Sequence, residues 1–310
     1  MNVTRKNKVS VDAAREEVTR AFTDAKPSKT LGDLLWWDFA SGFNRPAADV
    51  VQAWTDAGLD PSIDLPNTPD AGTAFSRAVT KAKRAAGAFD CRIEDCLTPD
   101  GTRRVAVVQL VRSTDVKGAT VGVVTLDALG AVTVEQHDKH GIAAQLSAGV
   151  GQFAGRYTID DVRTGITAVL DRWHATPCRQ APPHIVYWLP APGGETIRKV
   201  RNVVAALGAG KLHLCPMGKN DDAKEAASSA ANGGLSAELL AFSREVETWR
   251  TTPPSTAGTI ERRVAAAEAL RAKGQLYRTI LGDAVDDIDG SITALQNDMR
   301  RALGCLEAAE

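Results

Sequence analysis

Long apolar runs are missing from this chain. None approaches the roughly 18 consecutive apolar residues that suggest a membrane span. The basic, polar start from Met1 to Ser10 is not followed by an apolar stretch. We therefore expect no transmembrane helix, no secretory signal peptide and no membrane partner.

Cysteine is scarce and the net charge is close to zero. An odd number of cysteines scattered through 310 residues is typical of a reduced protein rather than of a disulfide framework, and it predicts a cytoplasmic location. The net charge of −1 argues against a protein that coats nucleic acid over its whole surface, although it leaves room for a local basic patch. The cysteines are Cys91, Cys96, Cys178, Cys215 and Cys305.

The short motifs of catalysis and cofactor binding are also missing. The sequence contains no G-x-S-x-G elbow, no P-loop and no G-x-G-x-x-G loop. The segment Pro192–Thr196 stands between a predicted strand and a predicted helix, where backbone N–H groups can hold an anion, but we interpret it as a tight turn. We predict no catalytic residue and no cofactor. A composite site built from distant residues stays compatible with the sequence.

An acidic cluster near the C-terminus has part of the spacing of a calcium-binding loop. Asp287 and Asp289 match the third and fifth positions of an EF-hand, but Val285 falls at the first position and Gln296 at the twelfth. Both strong ligand positions therefore lack a carboxylate. The spaced histidines and cysteines elsewhere do not converge in any local pattern, and we predict no metal site.

The regular patterns that are present predict an α+β fold. Four β-rich runs separated by short turns, between Phe89 and Glu135, indicate an antiparallel meander. A β-α-β unit from His184 to Cys215 is expected to join this meander in one mixed, mostly antiparallel sheet with helices on one face. The predicted divisions are an N-terminal helical segment (1–87), a central α+β domain (88–217), a linker plus helix (218–258) and a C-terminal helical arm (259–310).

Two segments receive specific structural predictions. The apolar cluster Leu34–Phe39 is expected on a helix, and because its side chains cannot all face one core, Trp36 is expected to reach a second surface. The small, polar stretch from Gly218 to Gly234 is interpreted as a flexible linker or a long surface loop.

The most informative pattern lies in the last 30 residues, where apolar side chains recur at alternating steps of four and three. This spacing is typical of a heptad seam that packs against another helix. The flanking positions carry no lysine or arginine, so a parallel coiled coil and an antiparallel hairpin fit equally well, with Asp289-Gly290 as a candidate turn. The sequence leaves open whether the seam packs within the chain or on another subunit. Its members are Leu281, Val285, Ile288, Ile292, Leu295, Met299 and Leu306.

The seam favours a non-catalytic assembly or adaptor protein that associates with itself or with a protein partner. The alternative is a nucleic-acid-binding accessory protein that contacts phosphates through basic helix faces. The candidate phosphate contacts are Arg77, Lys81, Arg84, Arg198 and Arg201.

Overall fold

The chain has the predicted α+β fold, with antiparallel sheets, packed helices and long C-terminal helices. A computed structural model describes residues 16–18, 20–21, 29–98, 102–109, 118–179, 185–249, 252, 254 and 256–307. The chain divides into two compact units. One, the meander unit, comprises residues 40–165 and 207–209; the other, the arm unit, comprises residues 1–39, 166–206 and 210–310.

The helices and strands follow one another along the chain in this order: β1 (Thr30–Phe39), β2 (Asn44–Pro46), α1 (Ala47–Asp56), α2 (Pro61–Asp64), α3 (Ala71–Ala86), β3 (Cys91–Leu97), β4 (Arg103–Gln109), β5 (Ala119–Leu126), β6 (Val132–Gln136), α4 (Ile142–Phe153), β7 (Arg156–Thr158), α5 (Ile159–Arg172), β8 (Thr176–Arg179), β9 (Val186–Pro190), α6 (Gly194–Ala206), β10 (Gly210–Gly218), α7 (Asp221–Thr248), α8 (Ala257–Leu281) and α9 (Asp289–Glu307).

The meander unit is built on the predicted four-stranded sheet, in which β3, β4, β5 and β6 pair antiparallel with their neighbours in chain order. Helices α3 and α4 cover one face of it. Phe75 of α3 and Leu146 of α4 share one apolar core with Val105, Val107 and Val124 of the sheet. The predicted meander is therefore confirmed.

The arm unit contains a second sheet, with the strand order β10-β1-β9-β8 and antiparallel pairing throughout. The predicted helix over Leu34–Phe39 is wrong, because this segment belongs to the inner strand β1. Leu35 is fully buried, and Leu34 packs on the other face against the core of the C-terminal helices. A strand that is covered on both faces reads as a continuous apolar run, and such a run has no period that separates it from a buried helix.

The strands β9 and β10 of the predicted β-α-β unit lie in this second sheet, on either side of β1. The prediction of one mixed sheet that includes the meander is therefore wrong. Each of these two four-stranded sheets pairs its own strands antiparallel. The strand between β9 and β10 is β1, and the sequence did not identify it as a strand because the apolar run around residue 35 has no strand period.

The predicted linker at Gly218–Gly234 is also wrong, since α7 begins at Asp221 and continues to Thr248. The Asn220 side chain caps it by accepting a hydrogen bond of 2.8 Å from the backbone N–H of Ala223. A Cβ atom added to Gly234 would lie only 2.2 Å from Oγ1 of Thr176. The small residues of this stretch thus allow a helix to pack closely on β8.

The heptad seam does not lie on one continuous helix. Helix α8 ends at Leu281, Gly282 follows with a φ of 67°, and α9 begins only at Asp289. The break thus precedes the predicted turn at Asp289-Gly290. The C-terminal arm is a helical hairpin, and α7 packs beside both of its helices.

Candidate interaction site

Helices of the same chain bury the described side chains of the seam. Leu281 and Ile292 are each 1% exposed and Met299 is fully buried. They share cores with Leu235 and Val246 of α7 and with residues of α8. Val285, Ile288 and Leu295 are buried as well. Leu306 lies in α9, and its side chain is outside the described residues. A contact with another subunit through these side chains would require the arm helices to separate.

A polar network fixes the register of the hairpin. The side-chain amide of Gln296, which is buried, donates a hydrogen bond of 2.7 Å to Oε1 of Glu268. Arg271 donates to the same carboxylate at 2.9 Å and to Oγ1 of Thr293 at 2.9 Å. The Gln296 hydrogen bond is the main reason that the pKa of Glu268 lies below its ordinary value. These bonds join α8 to α9 in one alignment.

The turn between α8 and α9 is held by α7. The side chain of Asn232 donates to the carbonyl of Ala284 at 3.1 Å and accepts from the N–H of Asp286 at 3.0 Å. Asp287 accepts from the N–H of Asp289 at 3.0 Å and pairs with Arg278 at 3.2 Å. The acidic cluster of the turn thus caps α9. In the part of the chain that the structure describes, no set of three or more histidine, cysteine, aspartate or glutamate side chains is arranged to hold a metal ion.

An open groove of about 420 Å³ runs between α7 and α9 on the outside of the arm. Its floor includes Val246 and Leu295, which are each 9% exposed. The walls carry small side chains, and the carboxylates of Glu247 and Asp298 contribute to its lining. The lining residues recur at helical spacing along both helices: Leu239, Ser243, Val246 and Glu247 on α7, and Ser291, Ala294, Leu295 and Asp298 on α9.

Two of the five candidate phosphate contacts are engaged by carboxylates. In the meander unit, Arg77 donates two hydrogen bonds to Asp161, at 2.9 and 2.5 Å. In the arm unit, Nη2 of Arg198 lies 3.3 Å from Oδ2 of Asp33. Burial raises the pKa of Asp33, and the Arg198 and Arg201 charges oppose that rise.

The other three candidate phosphate contacts are exposed. Lys81 places its ammonium 5.9 Å from the ring centre of Phe153, and Arg84 and Arg201 are exposed on α3 and α6. Phosphate contact by these residues stays a prediction.

The loop before α6 already faces a carboxylate of the protein. A Cβ atom added to Gly194, the first residue of α6, would lie 3.1 Å from Oδ2 of Asp33. The buried Asp33 carboxylate therefore lies beside the first residue of α6. Ala191–Gly193 forms one turn of 3-10 helix and α6 begins at Gly194, so the predicted tight turn covers only the first residues of Pro192–Thr196, and Glu195 and Thr196 are helical.

Sequence reasoning missed a cluster of titratable groups beside β8. Nζ of Lys273, whose side chain is 13% exposed, lies 2.5 Å from Oε1 of Glu238. Burial, assisted by the Lys273 charge, lowers the pKa of His174 to about 4, and burial raises the pKa of Asp171. The hydroxyl of Tyr277 donates to the backbone carbonyl of His174 at 2.6 Å.

This cluster joins the end of α5 to α7 and α8. His174 has a φ of 57° and forms the left-handed turn that ends α5. Tyr277 and His174 are separated by 103 residues along the chain, so no local spacing connects them. The ion pair and the capped turn give the cluster a structural role.

The fold and the site together define an α+β protein with a three-helix C-terminal arm and a groove on that arm. The chain belongs to a family described as "Family of unknown function (DUF6744)", whose model matches residues 30–309. No curated protein and no solved structure matches the chain. Of the helices that the structure describes, none combines the length and the apolar character needed to cross a membrane.

Proposed function

We propose that this protein is a non-catalytic cytoplasmic adaptor whose C-terminal arm binds an amphipathic helix of a partner protein. The groove between α7 and α9 is the observation that carries the proposal. The seam side chains pack the helices of the arm together, and Leu295, a member of the seam, reaches the floor of the groove. Cys91, Cys96, Cys178 and Cys215 are free thiols, which fits a reducing compartment.

A helix suits the groove better than an extended peptide. The two walls are themselves helices, and their small side chains, Ser243, Ser291 and Ala294, allow another helix to approach closely. Apolar side chains of the incoming helix at helical spacing would cover Val246 and Leu295, removing their remaining apolar surface from water at about 25 cal/mol per Å².

The charges of the groove specify the partner further. Glu247 is exposed, and Asp298 pairs at 3.2 Å with Arg301, whose side chain is 79% exposed. An exposed pair of this kind contributes little and exchanges readily. The partner helix is therefore expected to carry lysine or arginine beside its apolar stripe.

Site-specific photo-crosslinking in cells tests this proposal. A photoreactive residue in place of Ser243 should crosslink to a helix-forming, basic segment of one protein. The same residue in place of Leu240, which is 50% exposed, is the matched control and should not. A synthetic peptide of the crosslinked segment should then bind the purified full chain in fluorescence anisotropy.

Variants decide whether the groove is responsible. Ala294→Arg fills an exposed wall position and adds a repelling charge, so we expect at least about a tenfold loss of peptide affinity. Leu240→Arg adds the same side chain outside the groove and should change affinity by less than about twofold. Equal binding to both variants, or crosslinked segments without helical and basic character, would refute the adaptor proposal.

A further inference from the structure

The outer edge of β3 lies at one end of the meander sheet. β3 pairs with β4 on one side only, and no described strand pairs with its other side. The row of backbone N–H and C=O groups along this edge is a template for another strand. The edge is seven residues long, from Cys91 to Leu97, which is long enough for a regular ladder.

Side chains on β3 alternate between the two faces of the sheet. Ile93 faces the helices and packs against the meander core. Arg92 and Glu94 lie on the opposite face, 55% and 52% exposed, and form an ion pair of 2.5 Å with each other. The edge therefore has one apolar side chain flanked by one cation and one anion.

We propose that two copies of this chain associate by pairing β3 with β3 in antiparallel orientation, which joins the two four-stranded meander sheets into one continuous sheet. The two-fold axis passes through Ile93. Each Ile93 then faces its counterpart on the helix side. On the opposite face of the sheet, Arg92 of each copy faces Glu94 of the other copy, so that the dimer contains two reciprocal ion pairs.

Sterics and charge select this register. Directly opposed residues of an antiparallel pair lie on the same face, as Arg92 and Val108 do in the β3–β4 ladder. Any alternative register must therefore shift one strand along the other by two residues, so that each side chain stays on its face. Such a shift moves the two-fold axis by one residue, to Arg92 or to Glu94. Two like charges then face each other at the axis.

Charged side chains normally protect edge strands from pairing, because like charges meet when identical strands align. In the register centred on Ile93 the same charges attract. The β3 edge belongs to the meander unit and the groove of the proposed function belongs to the arm unit, so either proposal can fail alone.

Light scattering coupled to size-exclusion chromatography of the full chain tests the pairing, between about 1 and 100 µM because dimers depend on concentration. We expect the wild type to approach twice the mass of one chain. Arg92→Glu and Glu94→Arg should each give monomers, because each variant places two pairs of like charges opposite each other. An equimolar mixture of the two variants should recover the dimer, since the two anionic side chains of one copy then face the two cationic side chains of the other.

Circular dichroism should show that both single variants remain folded, as expected for exposed positions. The double variant, with the two charges exchanged, should dimerise like the wild type. A wild type that stays monomeric over the whole range, a dimer that persists in either single variant, or a mixture that stays monomeric would each overturn the proposal.

Discussion

Gln296 donates its buried side-chain amide to Glu268 across the interface of α8 and α9, at 2.7 Å. This one hydrogen bond connects Gln296, which directly follows the seam residue Leu295, to a carboxylate on the neighbouring helix. It specifies the alignment of the hairpin, which apolar packing by itself leaves open.

Gln296→Leu should lower the free energy of unfolding by about 1–2 kcal/mol, since a hydrogen bond to a charged acceptor is lost while the volume is kept. Urea unfolding at neutral pH measures the change. The difference between variant and wild type should shrink as the pH falls below the ordinary Glu268 pKa of 4.5, because a protonated Glu268 no longer offers a charged acceptor. A pH-independent difference would show that packing alone is responsible.

Ile292→Ala should destabilise the protein by about 2–5 kcal/mol, because it removes a side chain from a filled core. If the seam packs within one chain, any dependence of the unfolding midpoint on protein concentration should be the same in wild type and in Ile292→Ala. Ser291→Ala, at the neighbouring exposed position, is the control and should stay within about 0.5 kcal/mol of wild type. A midpoint that rises with concentration in the wild type and not in Ile292→Ala would place the seam between subunits.

Gly234→Ala should destabilise the protein by about 1–3 kcal/mol, since the added Cβ overlaps Oγ1 of Thr176. Gly233→Ala is the matched control: no atom lies within 4 Å of the added Cβ. It should stabilise α7 by up to about 1 kcal/mol through helix propensity. Thermal unfolding should show that adding Thr176→Ala to Gly234→Ala recovers part of the lost stability. If the destabilising effects of the two substitutions simply add, the overlap of Cβ with Oγ1 is not the cause.

Acidification should destabilise the protein through His174. Its pKa is about 4 in the folded state, against an ordinary value of 6.5, so the unfolded chain binds the proton more readily. The free energy of unfolding should therefore fall as the pH drops from about 6.5 towards 4 and should lose nothing further from this residue below that range. His174→Asn keeps a side chain that tolerates the left-handed backbone, and chemical unfolding at several pH values should show a smaller slope for this variant.

The parts of the fold that could be predicted from sequence are those specified by neighbouring residues. The meander followed from short turns between alternating strands, and the arm followed from the spacing of Ile288, Ile292 and Leu295. The strand at Leu35 could not be recognised, because both of its faces are covered by elements that come much later in the chain. The helix at Gly234 could not be predicted either, because small and polar residues are typical both of a flexible linker and of a helix that packs closely on its neighbour.

The candidate site was predictable only in part. The seam residues were recognised, but the groove beside them depends on how α7 lies along the hairpin. Nothing in the spacing of Ser243 or Ala294 marks a wall of a groove. The engagement of Arg77 by Asp161 and of Arg198 by Asp33 likewise depends on residues far away along the chain.

The position of β1 has a consequence for biosynthesis. Leu35 emerges from the ribosome early, yet one of its partners, Leu214, is synthesised much later. Until then an apolar strand stays without its neighbours, and closing such a long loop slows folding. The nascent arm unit is therefore expected to depend on chaperones, whereas the meander unit, whose strands pair in order, can fold while translation continues.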